Sequence, residues 1–285
     1  TTDFNISFIR NELRALAGGA KEMQTSASWN GDYTGYDYTA RVGQSLGLIY
    51  GYVFDGVYQT SDFNVNAATG EYMLKEGVTD ISDHAGVPVK PGMVKYKDTD
   101  GDGVITTDDK TIIGDAYPDF TGGFSTNLSW KGLDFSASFV YSYGGEVINF
   151  QDYYLYNMEG SGNQYAIVAD RYISDEQPGR NNVPIASRIS TPNTSLKLSS
   201  YYVEDASFFR CANITLGYTL PKRWMSKLHV SSCRVYFSGD NLFTITPYRG
   251  YNPEVSYKSS NLMPGFDWGC YPLARIYSLG LNLTF

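Results

Sequence analysis

Apolar and polar residues alternate along several segments of the chain, and the pattern is clearest over residues 275–285. The apolar positions there are Tyr277, Leu279, Leu281, Leu283 and Phe285, and the positions between them are Ser278, Gly280, Asn282 and Thr284. A period of two predicts a β-strand with one apolar and one polar face. The apolar face would pack on a core in a soluble β-sandwich or contact lipid in an outer-membrane β-barrel. A chain that stops on the aromatic residue of such a strand favours the barrel.

Residues 124–143 also alternate and predict a β-hairpin around the two-residue loop Lys131-Gly132. This register places three apolar pairs on one face: Trp130 with Leu133, Leu128 with Phe135, and Phe124 with Phe139. The opposite face collects the polar residues Ser125, Asn127, Ser129, Asp134, Ser136 and Ser138. Such a polar face is expected on the outside of a sandwich and in the lumen of a barrel.

Connections of uneven length separate the remaining strand-like segments. These segments are residues 2–10, the glycine-interrupted residues 44–59, residues 210–220 and residues 229–239. In the second half of the chain, short turns alternate with long polar connections. Compact soluble domains seldom contain several loops of this length, whereas outer-membrane barrels pair short periplasmic turns with long extracellular loops.

The loop lengths also predict a topology. If Phe285 ends at the periplasmic side, the turns at residues 131–132 and 221–228 are periplasmic. The long connections around Asp98, Tyr153 and Tyr251 then share the extracellular side. The direction of the segment before residue 41 stays open.

Composition and charge exclude several classes of protein. The formal net charge of -8 and the absence of a basic run argue against a nucleic-acid partner. A mean hydropathy of -0.30 argues against a helical membrane span but is compatible with barrel strands, which are polar on one face. The three cysteines, Cys211, Cys233 and Cys270, have neither paired nor metal-ligand spacing, so buried free thiols are expected.

Residues 98–109 (DTDGDGVITTDD) match a calcium loop of the EF-hand type. The predicted metal ligands are Asp98, Asp100, Asp102, the carbonyl of Val104, and Asp109. Gly103 permits the sharp turn, and Asp109 stands where a bidentate glutamate is usual. A bound Ca²⁺ would have a structural role, because a cation among clustered carboxylates stiffens a loop. The alternative is a turn of Asp and Gly residues with solvated charges.

The sequence contains no recognisable catalytic set, so no enzyme activity is predicted. His84 and His229 stand alone, and neither GxSxG nor HExxH occurs. Tyr153, Tyr154 and Tyr156 are weak candidates for substrate binding because tyrosine rings can stack on sugars. Packing within a loop or in an aromatic girdle is the alternative role of these rings.

Several stretches, taken in order, resemble the SusC/RagA-like TonB-dependent outer-membrane transporters of Bacteroidetes. The stretches are FNISFIRNE (4–12), LIYGYVFDGVYQ (48–59), YKDTDGDGVITTDDKTIIGDAYPD (96–119), FTGGFSTNLSWKGLDF (120–135), GDNLFTITPYRGYNPEV (239–255) and the terminal LARIYSLGLNLTF. The resemblance covers nearly the whole chain, and the ordered set is far more specific than any single stretch.

The resemblance implies that residues 1–285 are the C-terminal part of an antiparallel transmembrane barrel of about 22 strands with long extracellular loops. This part is expected to supply roughly the last eight to ten strands and to lack the family's N-terminal plug and TonB-contacting segment. Members of the family lie in the outer membrane of Gram-negative bacteria. They import glycans or peptides into the periplasm with a SusD-like lipoprotein, are powered through TonB, and do no covalent chemistry on the cargo. A soluble or surface-anchored β-sandwich that binds glycans is the alternative, and a hydrolase is a third possibility.

Overall fold

The computed structural model describes residues 1–27, 35–156, 162–180, 183–186, 198–226, 229–257 and 260–285. The strands in chain order are β1 (Thr2–Ser7), β2 (Glu22–Thr25), β3 (Tyr38–Arg41), β4 (Leu48–Gly51), β5 (Phe54–Val57), β6 (Phe63–Val65), β7 (Tyr72–Leu74), β8 (Val94–Tyr96), β9 (Thr111–Asp115), β10 (Phe120–Trp130), β11 (Leu133–Tyr143), β12 (Glu146–Asn149), β13 (Val203–Asp205), β14 (Phe208–Thr219), β15 (Ser232–Ile245), β16 (Phe266–Asp267) and β17 (Ile276–Thr284).

Helices are short. The α-helices are α1 (Ser82–Ala85), α2 (Gln151–Leu155) and α3 (Lys222–Met225), and 3-10 turns span Ala17–Gly19, Thr60–Asp62, Thr107–Asp109, Ala166–Asp170 and Ser200–Tyr202. Among the described residues, no helix has the length and apolar character needed to cross a membrane.

Six long strands form one antiparallel sheet, the wall sheet, in the order β1-β10-β11-β14-β15-β17. The hairpin register expected from the sequence is confirmed: Trp130 pairs with Leu133, Leu128 with Phe135, and Phe124 with Phe139. Lys131 and Gly132 both have positive φ, as a two-residue hairpin loop requires.

One face of the wall sheet is apolar and exposed. Exposed side chains on this face include Leu128, Trp130, Leu216, Phe237, Leu279 and Leu281. A β-sandwich would cover such a face with a second sheet, yet both described hydrophobic clusters lie outside the wall strands. The fold is therefore part of the wall of an antiparallel barrel, and the sandwich alternative is not the fold observed.

A β-bulge corrects one detail of the predicted alternation. The pairing of β11 with β14 passes from Ser138 opposite Asn213 to Phe139 opposite Cys211, so Ala212 has no opposite residue. The extra residue changes the phase of the strand. The alternation of the sequence places Ala212, Ile214, Leu216 and Tyr218 on one face. The structure keeps Ile214 on that face, opposite Ala137, whereas Cys211 and not Ala212 shares the face of Phe139.

The short turns lie together at one end of the wall sheet, the short-turn end. Leu133 pairs with Tyr218 there, and Ser232 pairs with Thr284, so the turn at residues 131–132 and the described residues between β14 and β15 lie at the same end of the sheet as the end of β17. The short turns thus share one end of the sheet, as predicted, and the assignment of this end to the periplasmic side stays a prediction.

The connections at the opposite end form a loop region, defined as the described parts of residues 8–119, 144–207 and 246–275. It contains the sheets β2-β3-β4-β9 and β13-β12-β16 and the ribbons β5-β8 and β6-β7. The three connections are joined to one another. The amide of Tyr52 donates to Leu198 O at 3.0 Å, and the Tyr38 hydroxyl donates to Pro264 O at 2.9 Å.

The loop region also explains why the wall has fewer strands than expected. Residues 44–59 form the short strands β4 and β5 in two different small sheets, not one bent strand of the wall. The wall sheet accordingly has six strands instead of eight to ten. Gly51 allows β4 to pack closely against Leu198. Any larger residue would be excluded, because a Cβ at position 51 would lie only 2.6 Å from Leu198 O.

Candidate functional site

The polar face of the wall sheet is a hydrogen-bonded surface. The Asn213 amide nitrogen donates to Asp240 Oδ1 at 2.6 Å and to Ser238 Oγ at 3.0 Å. Thr215 Oγ1 donates to Asn213 Oδ1 at 3.1 Å. These residues come from β14 and β15, so neighbouring strands are tied together by side chains as well as by the backbone. A wall of this chemistry suits a water-filled or plugged lumen.

A cleft of about 550 Å³ lies where the polar face meets the loop region. Val140 and Ser142 of β11 and Phe208 of β14 form part of its wall, and residues 253–256 form another part. Near this cleft the buried Arg210 extends from β14 to the long connection after β15. Its Nη1 donates to Glu254 and its Nη2 donates to Asn252 Oδ1 at 3.1 Å. The loop is thereby held against the inner face of the wall.

Arg249 is the centre of a charged cluster in the described part of the loop region. Its Nη2 donates to Asp152 Oδ2 at 2.6 Å, its Nε donates to Glu204 Oε1 at 3.0 Å, and its Nη1 donates to the Tyr156 hydroxyl at 2.8 Å. We call Asp152, Tyr156, Glu204 and Arg249 the Arg249 cluster. It joins α2, β13 and the connection after β15, and so it links two of the long connections.

Burial governs the electrostatics of this cluster. Asp152 is buried, and loss of solvation raises its pKa to about 7, even though Arg249 favours the charged form. The neighbouring Glu204 adds to the effect because two adjacent carboxylates repel each other. The sequence predicted none of these contacts. The only signal was an arginine within the aromatic and Pro-rich residues 247–253.

The acidic loop has the predicted turn and three converging carboxylates. One carboxylate oxygen from each of Asp98, Asp100 and Asp102 lies within 4.8 Å of the others. The amides of Gly101 and Gly103 donate to Asp98 at 2.6 and 2.7 Å and lower the pKa of its carboxyl group. These oxygens fit a hard cation such as Ca²⁺.

The fourth predicted carboxylate, Asp109, lies outside this group of three. It is buried, and its two oxygens accept hydrogen bonds from the amides of Thr99 at 2.7 Å and Thr106 at 2.8 Å. Asp109 therefore closes the ends of the loop onto each other. The fifth predicted ligand, Val104, donates its amide to Asp102 Oδ1 at 2.8 Å. The role of these residues as metal ligands stays a prediction.

The three candidate tyrosines have different environments. Tyr153 is buried and stacks on Phe150 with ring centroids 4.5 Å apart. Tyr156 is buried in the Arg249 cluster. Tyr154 is 47% exposed, and its ring meets Trp268 edge to face at 6.3 Å. Packing accounts for the first two rings, and Tyr154 is the member of the set that is exposed to solvent.

The expectation of buried free thiols is confirmed for Cys211 and Cys233 and is wrong in the burial of Cys270. Cys211 and Cys233 are buried, Cys270 is partly exposed, and all three are free.

Comparison with known proteins gives consistent matches. No protein-family model matches the chain. The chain is 33% identical to TonB-dependent receptor P3 of Formosa agariphila over all of its own length and 26% of that protein. It is 31% identical to TonB-dependent receptor P39 of the same organism, covering 100% of the chain and 28% of that protein. It is 28% identical to TonB-dependent receptor SusC of Bacteroides thetaiotaomicron over 77% of the chain and 20% of that receptor.

Solved structures match the fold over the whole chain. The RagAB peptide transporter aligns with a TM-score of 0.68 at 23% identity, covering 100% of this chain and 26% of that one. The RagAB peptide importer in the 'closed-closed' state aligns with a TM-score of 0.68 at 24% identity, covering 100% and 27% of the two chains. The chain thus spans about a quarter of the length of the relatives with which it aligns over its whole length. The ordered motifs, the exposed apolar wall and these matches lead to one conclusion. The chain belongs to the SusC/RagA-like TonB-dependent receptors of the outer membrane of Bacteroidetes.

Proposed function

We propose that this chain is the C-terminal barrel part of an outer-membrane importer that moves glycans or peptides into the periplasm. The observation that carries the proposal is the wall sheet, which has an exposed apolar face, a polar inner face and a folded loop region at one end. An apolar face of this kind is stable only against lipid, and the polar face suits the passage of hydrophilic cargo.

The partners follow from the same assignment. A SusD-like lipoprotein would contact the loop region, and the TonB complex would act through a part of the receptor outside this chain. The chain makes no covalent change to cargo in this proposal. Among the similar proteins, RagAB is named a peptide transporter, and the name of the SusC receptor specifies no cargo.

Transport is tested with the full-length receptor that contains this chain. We expect it to fractionate with the outer membrane, to require detergent for a monodisperse solution, and to co-purify with a SusD-like lipoprotein. Deletion of the receptor gene should abolish uptake of one oligosaccharide or peptide pool, and disruption of TonB should have the same effect. A receptor that is monodisperse without detergent would contradict the membrane assignment. Uptake that is unchanged in both deletions would contradict the transport function.

We also propose that the acidic loop binds Ca²⁺. The support is the convergence of three carboxylates and the anchoring of the loop to a neighbouring segment. Ile105 is buried in a hydrophobic cluster, and its amide donates to Asp80 O at 2.8 Å. A cation at the exposed carboxylates would reduce their mutual repulsion and stiffen this part of the loop region. Its effect would be on stability and not on catalysis.

For cargo contact, we propose Tyr154 as the member of the tyrosine set that meets the ligand. Its ring is exposed and lies beside Trp268. Sugar rings and aromatic peptide side chains both stack on such a surface. Tyr153 would support it, since the rings of Tyr153 and Tyr154 meet edge to face with centroids 4.9 Å apart.

A further inference from the structure

The short-turn end of the wall sheet carries two tryptophans, each with a basic side chain over its ring. Lys131 Nζ lies 4.9 Å from the centroid of the Trp130 ring, and Arg223 Cζ lies 5.8 Å from the centroid of the Trp224 ring. Trp130 is 68% exposed and Trp224 is 50% exposed. Both pairs belong to short turns, and transport does not explain either of them.

The two turns are neighbours in space. The Thr219 amide donates to Gly132 O at 2.7 Å, and Leu133 pairs with Tyr218. Pro221 and α3 follow directly after this contact. The two Trp-basic pairs therefore lie on adjacent turns at the same end of the sheet.

Lys131, Lys222 and Arg223 have no described ion pair with an acidic residue, and Asp134, the first acidic residue after the hairpin loop, pairs with Arg234. Residues 126–133 and 220–233 contain no Asp or Glu, although the whole chain has 30 acidic and 22 basic residues. The side chains of Lys131, Lys222 and Arg223 are all exposed. Lys227 is a further basic residue in this part of the sequence, and it lies outside the described residues.

Lys131 occupies a position that its backbone disfavours. Its φ is 46°, and the first position of such a two-residue hairpin loop usually holds Asn, Asp or Gly. A lysine in the left-handed region is uncommon, and it contributes little to the turn itself. A residue that departs from local preference is expected where it serves a function.

The apolar face of the wall ends at these turns, since Leu128 and Leu133 precede and follow the Trp130-Lys131 corner. Exposed tryptophan rings at such a boundary lie at the depth of the lipid headgroups, and long basic side chains extend toward the phosphates. We propose that Trp130, Lys131, Lys222, Arg223 and Trp224 form a binding surface for the headgroups of anionic phospholipids in the periplasmic leaflet. The inference rests on the proposed membrane location and adds a selectivity for lipid charge.

The test uses native mass spectrometry of the full-length receptor, released from nanodiscs that contain phosphatidylglycerol and phosphatidylethanolamine with identical acyl chains. We expect the wild-type receptor to retain phosphatidylglycerol preferentially. Lys131→Gln and Arg223→Gln should each lower that preference by about five-fold, and the double variant should lose most of it. Lys90→Gln removes an exposed charge in the loop region and should leave the preference unchanged.

Three outcomes would overturn the inference: equal retention of both lipids by the wild-type receptor, unchanged preference in the double variant, or an equal loss in Lys90→Gln. Thermal unfolding of each variant separates loss of lipid binding from loss of fold. A receptor that fails to enter nanodiscs would contradict the membrane assignment itself, whereas one that inserts without headgroup preference contradicts only the lipid site.

Discussion

The guanidinium of Arg234 on β15 crosses the neighbouring strand β14 to reach Asp134 on β11, with Nε donating to Oδ1 at 2.9 Å. Gly217 lies beneath the contact. A Cβ at that position would lie 2.5 Å from Arg234 Nη2 and from Asp134 Oδ2. The absence of a side chain at Gly217 is what allows an ion pair to span three strands of the inner face.

Gly217→Ala should separate this ion pair, because the added methyl group occupies the space of the two charged groups. A double-mutant cycle with Asp134→Asn and Arg234→Gln measures the coupling free energy between these two side chains. It should be up to about 1 kcal/mol in the wild-type receptor and near zero in the Gly217→Ala background. The measurement is urea unfolding of the full-length receptor in lipid or detergent. Undiminished coupling in the Gly217→Ala background would show that the glycine is not needed for the contact.

Tyr153 and Tyr154 should respond differently to truncation. Tyr153→Ala removes a buried ring that stacks on Phe150, and we expect a loss of stability of about 3 kcal/mol or more. Tyr154→Ala removes a ring that is largely exposed, so it should lower the affinity for cargo and change stability by much less. Thermal unfolding and cargo titration on both variants distinguish the two roles. Equal effects of the two substitutions on stability would contradict the assignment of Tyr153 to packing and of Tyr154 to cargo contact.

The wall was predictable because its signal is local. Trp130 and Leu133 flank a two-residue loop, and a period of two then determines which face every following side chain occupies. The bulge at Ala212 was not predictable, since one extra residue reverses that alternation without a compositional mark.

The loop region was beyond the reach of sequence patterns because its contacts join distant segments. Arg249 meets Asp152 and Glu204 across 97 and 45 residues of chain, and no periodicity links these positions. Residues 44–59 were apolar enough for a wall strand, but close packing at Gly51 and pairing with β9 place β4 in a small sheet. The acidic loop was predictable because its turn depends on neighbouring residues, whereas the closure of the loop by Asp109 depends on the amide of Thr99, ten residues earlier in the chain.

Calcium should bind the acidic loop and protect it from proteolysis. Asp98→Asn removes a carboxylate of the converging group, so it should abolish the heat of Ca²⁺ binding and the protection. Asp108→Asn removes the same charge from a carboxylate outside that group and should leave both nearly unchanged. Calorimetry and limited proteolysis, with and without chelator, measure the two effects. An identical response of the two variants, or no binding by the wild-type receptor, would refute a specific site.

Asp152 should make the stability of the Arg249 cluster depend on pH. Burial raises the pKa of Asp152 from 3.8 to about 7, so the folded cluster retains a proton that the unfolded chain releases. The free energy of local unfolding should therefore be greatest below about pH 4 and fall as the pH rises toward 7. Arg249, Glu204 and Tyr156 surround the carboxyl group of Asp152, so they determine how strongly the free energy of local unfolding depends on pH.

Hydrogen exchange of the backbone amides of α2, corrected for intrinsic rates, measures this dependence between about pH 4 and pH 8 in the full-length receptor. Asp152→Asn keeps a neutral side chain of similar shape, so its protection should vary much less with pH over this range. Asp170→Asn, in an exposed ion pair with Arg180, should retain the wild-type dependence. Protection that rises toward neutral pH in the wild-type receptor would reverse the sign and show that Asp152 is charged in the folded cluster, held by Arg249.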